Sequence, residues 1–133
     1  RFHELVGYTH ELGLKFFMHS CGKMTAIIPD LIETGVDLLQ FDQPTIHSID
    51  LLAATQQNAK ISYWCPVDIQ KTLQSGDPAL IRSEARQMLE KLWRGRGGFV
   101  AGFYTDEASL GLGPQWQAIA IDEFLKGRQP WKQ

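Results

Sequence analysis

A chain of 133 residues, 44% hydrophobic and 21% charged, has the balance of an ordinary globular domain, which excludes a disordered or fibrous protein. Its formal net charge of −2, with both signs interspersed, gives no basic footprint for nucleic acid and no polybasic run for a membrane surface. No apolar stretch reaches the roughly 20 residues of a membrane span, and Arg1 opens into a helical pattern without a signal-peptide layout, so the sequence reads as cytoplasmic.

Residues 2–12 (FHELVGYTHEL) carry apolar side chains at helical spacing and stop at Gly13, which suits a left-handed C-cap. The run LKFFMH, 14–19, has the length and apolar content of a strand buried on both faces. A helix is predicted over 24–35, with Ile27, Ile28, Leu31 and Ile32 on one face, Pro29 near its start and Gly35 closing it. VDLLQF, 36–41, is the next strand and ends at Asp42-Gln43-Pro44; a helix over 47–58 follows, with Thr45 or Ser48 as its N-cap. KISYWCP, 60–66, is a third strand, and 67–77 reads as turns or a short helix. The fullest set of helix signals spans 77–97, with Asp77 at the cap, Pro78 in the first turn and glycines at the end. A fourth strand, GGFVAGFY at 97–104, and a helix over 113–128 complete the pattern, leaving the last residues as a frayed tail.

Helix and strand alternate throughout, which is the pattern of βαβ units around a parallel sheet. The fold class is therefore α/β, and four such units fit half of a (β/α)8 TIM barrel, a fold of about 250 residues when complete. The chain begins in mid-pattern, with a helix before any strand, and 1–133 reads as a single partial domain. Residues with reactive side chains follow the predicted strand ends, whereas the helix-to-strand turns carry Gly13, Gly35 and Gly97. In parallel α/β folds the site lies at the carboxyl ends of the strands.

His19 and Cys21 alternate around Ser20 at a strand end, so both side chains point the same way and can reach one tetrahedral metal. Imidazole with thiolate is a zinc pair; a satisfied polar strand terminus is the structural alternative. A catalytic zinc site usually needs three protein ligands. Cys65, at the end of another predicted strand, is the candidate third, although a free cysteine also packs as a small hydrophobe. With only two cysteines, a disulfide framework is not expected. Asp42 and Asp68 follow the second and third strands, where a carboxylate can serve as ligand, base or helix cap. Tyr104, after the fourth strand, can donate a hydrogen bond to substrate, and Asp106 or Glu107 can bind a cation or simply face solvent. Trp64 is the one tryptophan near the proposed mouth; His3, His10 and His47 fall on helix patterns and are expected at the surface. No phosphate-binding glycine signature, Gly-x-Ser-x-Gly or Cys-x-x-Cys is present.

The segments HSCGKMTAIIPDLIETGVDLLQFDQP, VDIQKTLQSGDPALIRSEARQMLEKL and GGFVAGF together resemble the C-terminal half of the uroporphyrinogen decarboxylase superfamily. The resemblance covers nearly the whole chain and implies a (β/α)8 barrel, and it suggests a homodimer. It also implies one of two chemistries. The cofactor-free decarboxylases of porphyrin metabolism act on a tetrapyrrole and carry a Thr-Lys-Gly-Gly type of sequence where this chain has His19-Ser20-Cys21-Gly22. They also carry Gly-His-Gly where it reads Ala101-Gly102-Phe103-Tyr104. The corrinoid-dependent methyltransferases instead bind zinc through His-x-Cys-Gly and a distant cysteine, and the zinc activates an acceptor thiol. His19 and Cys21 match the first part; the distant cysteine belongs near Phe103, with Cys65, one strand earlier, as the candidate in its place. The expectation is a zinc-dependent methyltransferase working with a corrinoid partner protein, with tetrapyrrole decarboxylation and a catalytically inert barrel fragment as alternatives.

Overall fold

The computed structural model describes residues 1–93 and 97–127. Five helices and four strands alternate along the chain: α1 (Phe2–Glu11), β1 (Phe17–His19), α2 (Ile28–Thr34), β2 (Leu38–Gln40), α3 (Ile49–Asn58), β3 (Ser62–Cys65), α4 (Pro78–Met88), β4 (Phe99–Ala101) and α5 (Pro114–Gly127). The strands form one all-parallel sheet in the order β1-β2-β3-β4. The predicted α/β class with a parallel sheet is therefore observed. Among the described residues, no helix is long and apolar enough to cross a membrane.

The helix signals act as expected where a side chain has backbone to cap. The Asp77 carboxylate accepts from the Ala79 and Leu80 amides at 2.8 and 3.4 Å, satisfying donors that α4 leaves unpaired at its start. A π-helical turn, Leu89–Trp93, continues α4; residues 94–96 of the helix predicted over 77–97, residue 128 of the last predicted helix and the tail after it lie outside the described residues. Gly35 closes α2 at φ +99, a left-handed conformation that side chains resist, and a Cβ there would also press on Val6 Cγ1 at 3.3 Å. Ser48 stands at the N-cap of α3 but makes no side-chain cap bond, and the Thr45 hydroxyl donates to Asp68 instead.

Two expectations need correction. The strands are only three or four residues long and are buried on one face, not both. Alternation along the ladder sends Leu39 and Tyr63 into the core, while Phe17 and Val100 remain 48% and 44% exposed on the other face. The described helices cover the first face only. The core between sheet and helices is built from Ile28, Leu39, Leu52, Tyr63, Ile81 and Met88, each essentially inaccessible. The Tyr63 hydroxyl is satisfied by Thr55 Oγ1 at 2.5 Å, as a buried phenol requires. His47 is also buried, contrary to the expected surface position: it precedes α3, its ring lies 4.3 Å from that of Phe41, and Nδ1 pairs with Thr25 Oγ1. Burial, with Lys23 nearby, lowers its pKa and favours the neutral ring.

At the amino ends of the strands, Asp37 gathers three donors: His10 Nε2 at 2.7 Å, Lys15 Nζ at 2.8 Å and the Phe16 amide at 2.8 Å. Partial burial alone would raise its pKa, but these hydrogen bonds overcome it and bring the group to about 2, from an ordinary 3.8. The native value lies below the unfolded one. Stability from Asp37 is therefore complete above about pH 4 and lost as pH falls towards 2. Asp37→Asn is expected to cost about 1 kcal/mol at pH 7, since Lys15 is solvent-screened, and only a small part of that near pH 2. Urea unfolding of both proteins at the two pH values measures the difference.

Candidate metal centre

The parallel register places His19 opposite Gln40, with Trp64 and Val100 completing the same row across the sheet. Two residues further along each chain, Cys21 and Asp42 return to the same side. The structure thus brings together His19, Cys21 and Asp42, with one ligand atom of each within 4.8 Å of the others. His19 Nε2 lies 3.2 Å from Cys21 Sγ. His19 and Cys21 are exposed and Asp42 is half-buried, so the cluster opens to solvent at the carboxyl ends of β1 and β2. Donors around a tetrahedral zinc ion stand about 3.3–3.8 Å apart, so three ligand atoms within 4.8 Å of one another would close on an ion with small side-chain adjustments. One imidazole, one thiol and one carboxylate suit zinc by type as well.

Cys65 is not part of this group. It sits one register position beyond Trp64, on the face where Tyr63 and Leu39 enter the core, and is wholly buried. Burial pushes its thiol up to about 12, which keeps it a neutral thiol packed among apolar side chains. The alternation of a strand decides the matter: odd and even positions of β3 face different layers. Asp42 takes the place in the cluster that the sequence offered to Cys65.

Asp68 is also fully buried, but as a loop lock. Its Oδ1 accepts from the Gln70 and Lys71 amides, each at 2.9 Å, and Oδ2 from Thr45. Its own amide donates to Glu84 Oε1 at 2.7 Å, and Glu84 also receives the Thr72 hydroxyl. Both oxygens of Asp68 are thus engaged, which is the capping role foreseen as its alternative. Tyr104 packs against the core, and its backbone is clasped by Gln117, whose Oε1 accepts from the Tyr104 amide at 2.5 Å and whose Nε2 donates to the Tyr104 carbonyl at 2.9 Å. Asp106 accepts from the Ser109 amide and Glu107 from Gln117, so both carboxylates shape the loop after β4.

The sequence reading passed over Gln40. It is the polar residue in an otherwise apolar strand, two positions before Asp42, and that spacing was the available signal. Gln40 Oε1 pairs with His19 Nδ1, and Gln40 Nε2 donates to Asp42 Oδ1 at 2.7 Å. Beside this row, the Phe17 and Trp64 rings stack with centroids 5.6 Å apart, an apolar floor on the open face. Gly102 allows that placement, because a Cβ there would lie 2.6 Å from the Trp64 indole nitrogen. A cavity of about 930 Å³ lies at the opposite, amino-terminal end of the sheet. Its lining includes Lys15, Asp37, Gln56, Lys60 and Ser62 but no imidazole or thiol, and in parallel sheets the chemistry gathers at the other end.

Comparison of the chain with known protein families, curated proteins and solved structures returned no match. The chemistry of the site is therefore carried by its own atoms. The first consequence concerns the two thiols: Cys21 is exposed and Cys65 buried. A disulfide reagent such as DTNB is expected to titrate one thiol in the native protein and both in guanidinium, and two fast native thiols would contradict the separation of faces. Asp68→Ala, which orphans two amides, is expected to lower stability by about 2–4 kcal/mol in urea unfolding.

Proposed function

We propose that this chain carries the metal centre of a zinc-dependent methyltransferase that moves a methyl group between a corrinoid on a partner protein and a thiol. Its four parallel strands would form the C-terminal half of a (β/α)8 barrel of the uroporphyrinogen decarboxylase superfamily. The observation that carries this reading is the convergence of His19, Cys21 and Asp42 within 4.8 Å on one face of the sheet. The open sheet face is consistent with a barrel interior, since in a closed barrel that face looks onto the opposing strands.

In this reading His19 binds through Nε2, Cys21 through Sγ and Asp42 through a carboxylate oxygen, leaving a fourth position for the acceptor thiol. Bound zinc supplies one thing: it lowers the pKa of that thiol so that the thiolate, the actual nucleophile, exists at neutral pH. The protein's own contribution is position and dryness. Cys21 and His19 are fixed two residues apart on a strand end, and Asp42 reaches them from the neighbouring strand. The Phe17–Trp64 stack gives the thiol and the methyl donor an apolar surface to meet on, which favours a transfer needing alignment and little proton traffic.

Elemental mass spectrometry after dialysis against zinc-free buffer tests the reading. The expected result is near one zinc per chain, lost in His19→Ala, Cys21→Ala and Asp42→Ala and kept in Cys65→Ser. Zinc in none of the proteins would sink the metal centre and turn attention to binding of a tetrapyrrole; zinc lost on Cys65→Ser with the fold intact would restore Cys65, and zinc kept in Asp42→Ala would remove Asp42.

A further inference from the structure

The geometry points to Gln40 as the positioning residue of this centre: through one amide it fixes the ring tautomer of His19 and the direction of the Asp42 carboxylate. The inference rests on the metal reading above for its purpose, but its structural content is independent of any ion.

The assignment follows from donor and acceptor roles. A carboxylate only accepts, so the group that Gln40 turns towards Asp42 Oδ1 has to be its NH2, at 2.7 Å. The other end of the amide, Oε1, then faces His19 Nδ1. A carbonyl oxygen only accepts, so Nδ1 has to carry the ring proton. In the neutral imidazole this leaves Nε2 bare, with its lone pair directed to the side where Cys21 Sγ lies 3.2 Å away. Nε2 is the atom the metal reading requires as ligand. A histidine free in solution interconverts its tautomers and rotates its ring; here the choice is made before any ligand arrives.

The same amide ties two strands. His19 ends β1 and Gln40 ends β2, and they are register partners, so the bond to Nδ1 runs across the ladder. The bond to Asp42 runs along β2 into its loop. One planar group thereby sets the separation of the two ligands that come from different strands. Leucine at position 40 would fill similar space and supply neither bond. Glutamate would still accept from Nδ1–H but would set a second negative charge against Asp42.

The test uses the full chain without metal, with nitrogen-15 label and long-range proton–nitrogen correlation spectra that distinguish the tautomers of His19. Wild type is expected to show the Nδ1–H form, Gln40→Leu a mixture or the Nε2–H form, and Gln40→Glu the Nδ1–H form again. Co2+ binding, measured in parallel by the thiolate charge-transfer band, is expected to weaken 10- to 100-fold in Gln40→Leu. An Nε2–H tautomer in wild type, or a tautomer and Co2+ affinity unchanged in Gln40→Leu, would overturn the assignment. The rescue by glutamate guards against a misfolded leucine variant, because a purely structural role for Gln40 would not restore the ring proton to Nδ1. Absence of Co2+ binding in wild type alongside the expected tautomers would remove the metal reading and leave the hold of Gln40 on His19 standing.

Discussion

The pairing of β1 with β2, parallel and with His19 opposite Gln40, is the constraint from which the candidate centre follows. In a pleated sheet a shift of one residue reverses every side chain, so a slipped register would bury His19 and bring Ser20 to the open face. Register here is held by what lies on the other face. Leu39 and Tyr63 are fully buried against the helices, and Met18 and Phe99 pack beside them. The apolar face thus fixes the polar one: hydrophobic burial, which has no direction of its own, acquires one through the alternation of the strand. At the far end of the same pair, Asp37 holds Phe16 and Lys15 of the incoming segment and sets where β1 enters the sheet.

The loops after the strands are held by polar contacts instead. Thr25 pairs with His47, Thr45 with Asp68, and Asp68 with Glu84 through its amide, so the segments following β1, β2 and β3 are linked in sequence. Burying such groups is costly unless each is satisfied, and Asp68 satisfies both its oxygens. Glu84 carries the cost most visibly: burial raises its pKa even though Thr72 and the Asp68 amide donate to it. A locked set of loops gives His19, Cys21 and Asp42 a fixed frame, which the short strands alone could not supply.

Much of this was legible in the sequence, for reasons that can be named. Alternating helical and apolar segments gave the α/β class, because βαβ units write both periods into the chain; Asp77-Pro78 and Gly35 marked helix ends because those residue types favour the cap positions. His19 and Cys21 were legible as a pair because their spacing is local. What was not legible depends on phase between strands. Cys65 and Asp42 both follow apolar runs, and the pattern SYWC leaves open whether the cysteine or the tryptophan turns inward. Only the register shows that Tyr63 and Cys65 share the core face while Trp64 joins His19 and Gln40. His47 failed for a related reason: the helical pattern was begun at His47, whereas that residue closes a separate 3₁₀ turn, Pro44–Ile46, ahead of α3, and its ring is buried there.

Replacing a second thiolate by a carboxylate has a chemical meaning for the proposed centre. Imidazole, thiolate and carboxylate together cancel the charge of a divalent ion, as imidazole with two thiolates would, so the local charge balance is the same. The hardness of the donors differs. Oxygen gives up less electron density than sulfur, so a zinc ion held by His19, Cys21 and Asp42 would acidify an acceptor thiol more strongly but leave its thiolate less nucleophilic, since nucleophilicity falls as pKa falls. Such a trade suits a site that has to ionise its thiol at neutral pH more than one that has to drive a sluggish electrophile. Gln40 would act on both sides of that balance: a hydrogen bond accepted from Nδ1–H would make the His19 ring a stronger donor, while the bond it gives to Asp42 would draw charge from the carboxylate. In the proposed centre the amide would therefore move donor strength from the oxygen ligand to the nitrogen one, and the tautomer of a single histidine would be the point at which its reactivity is set.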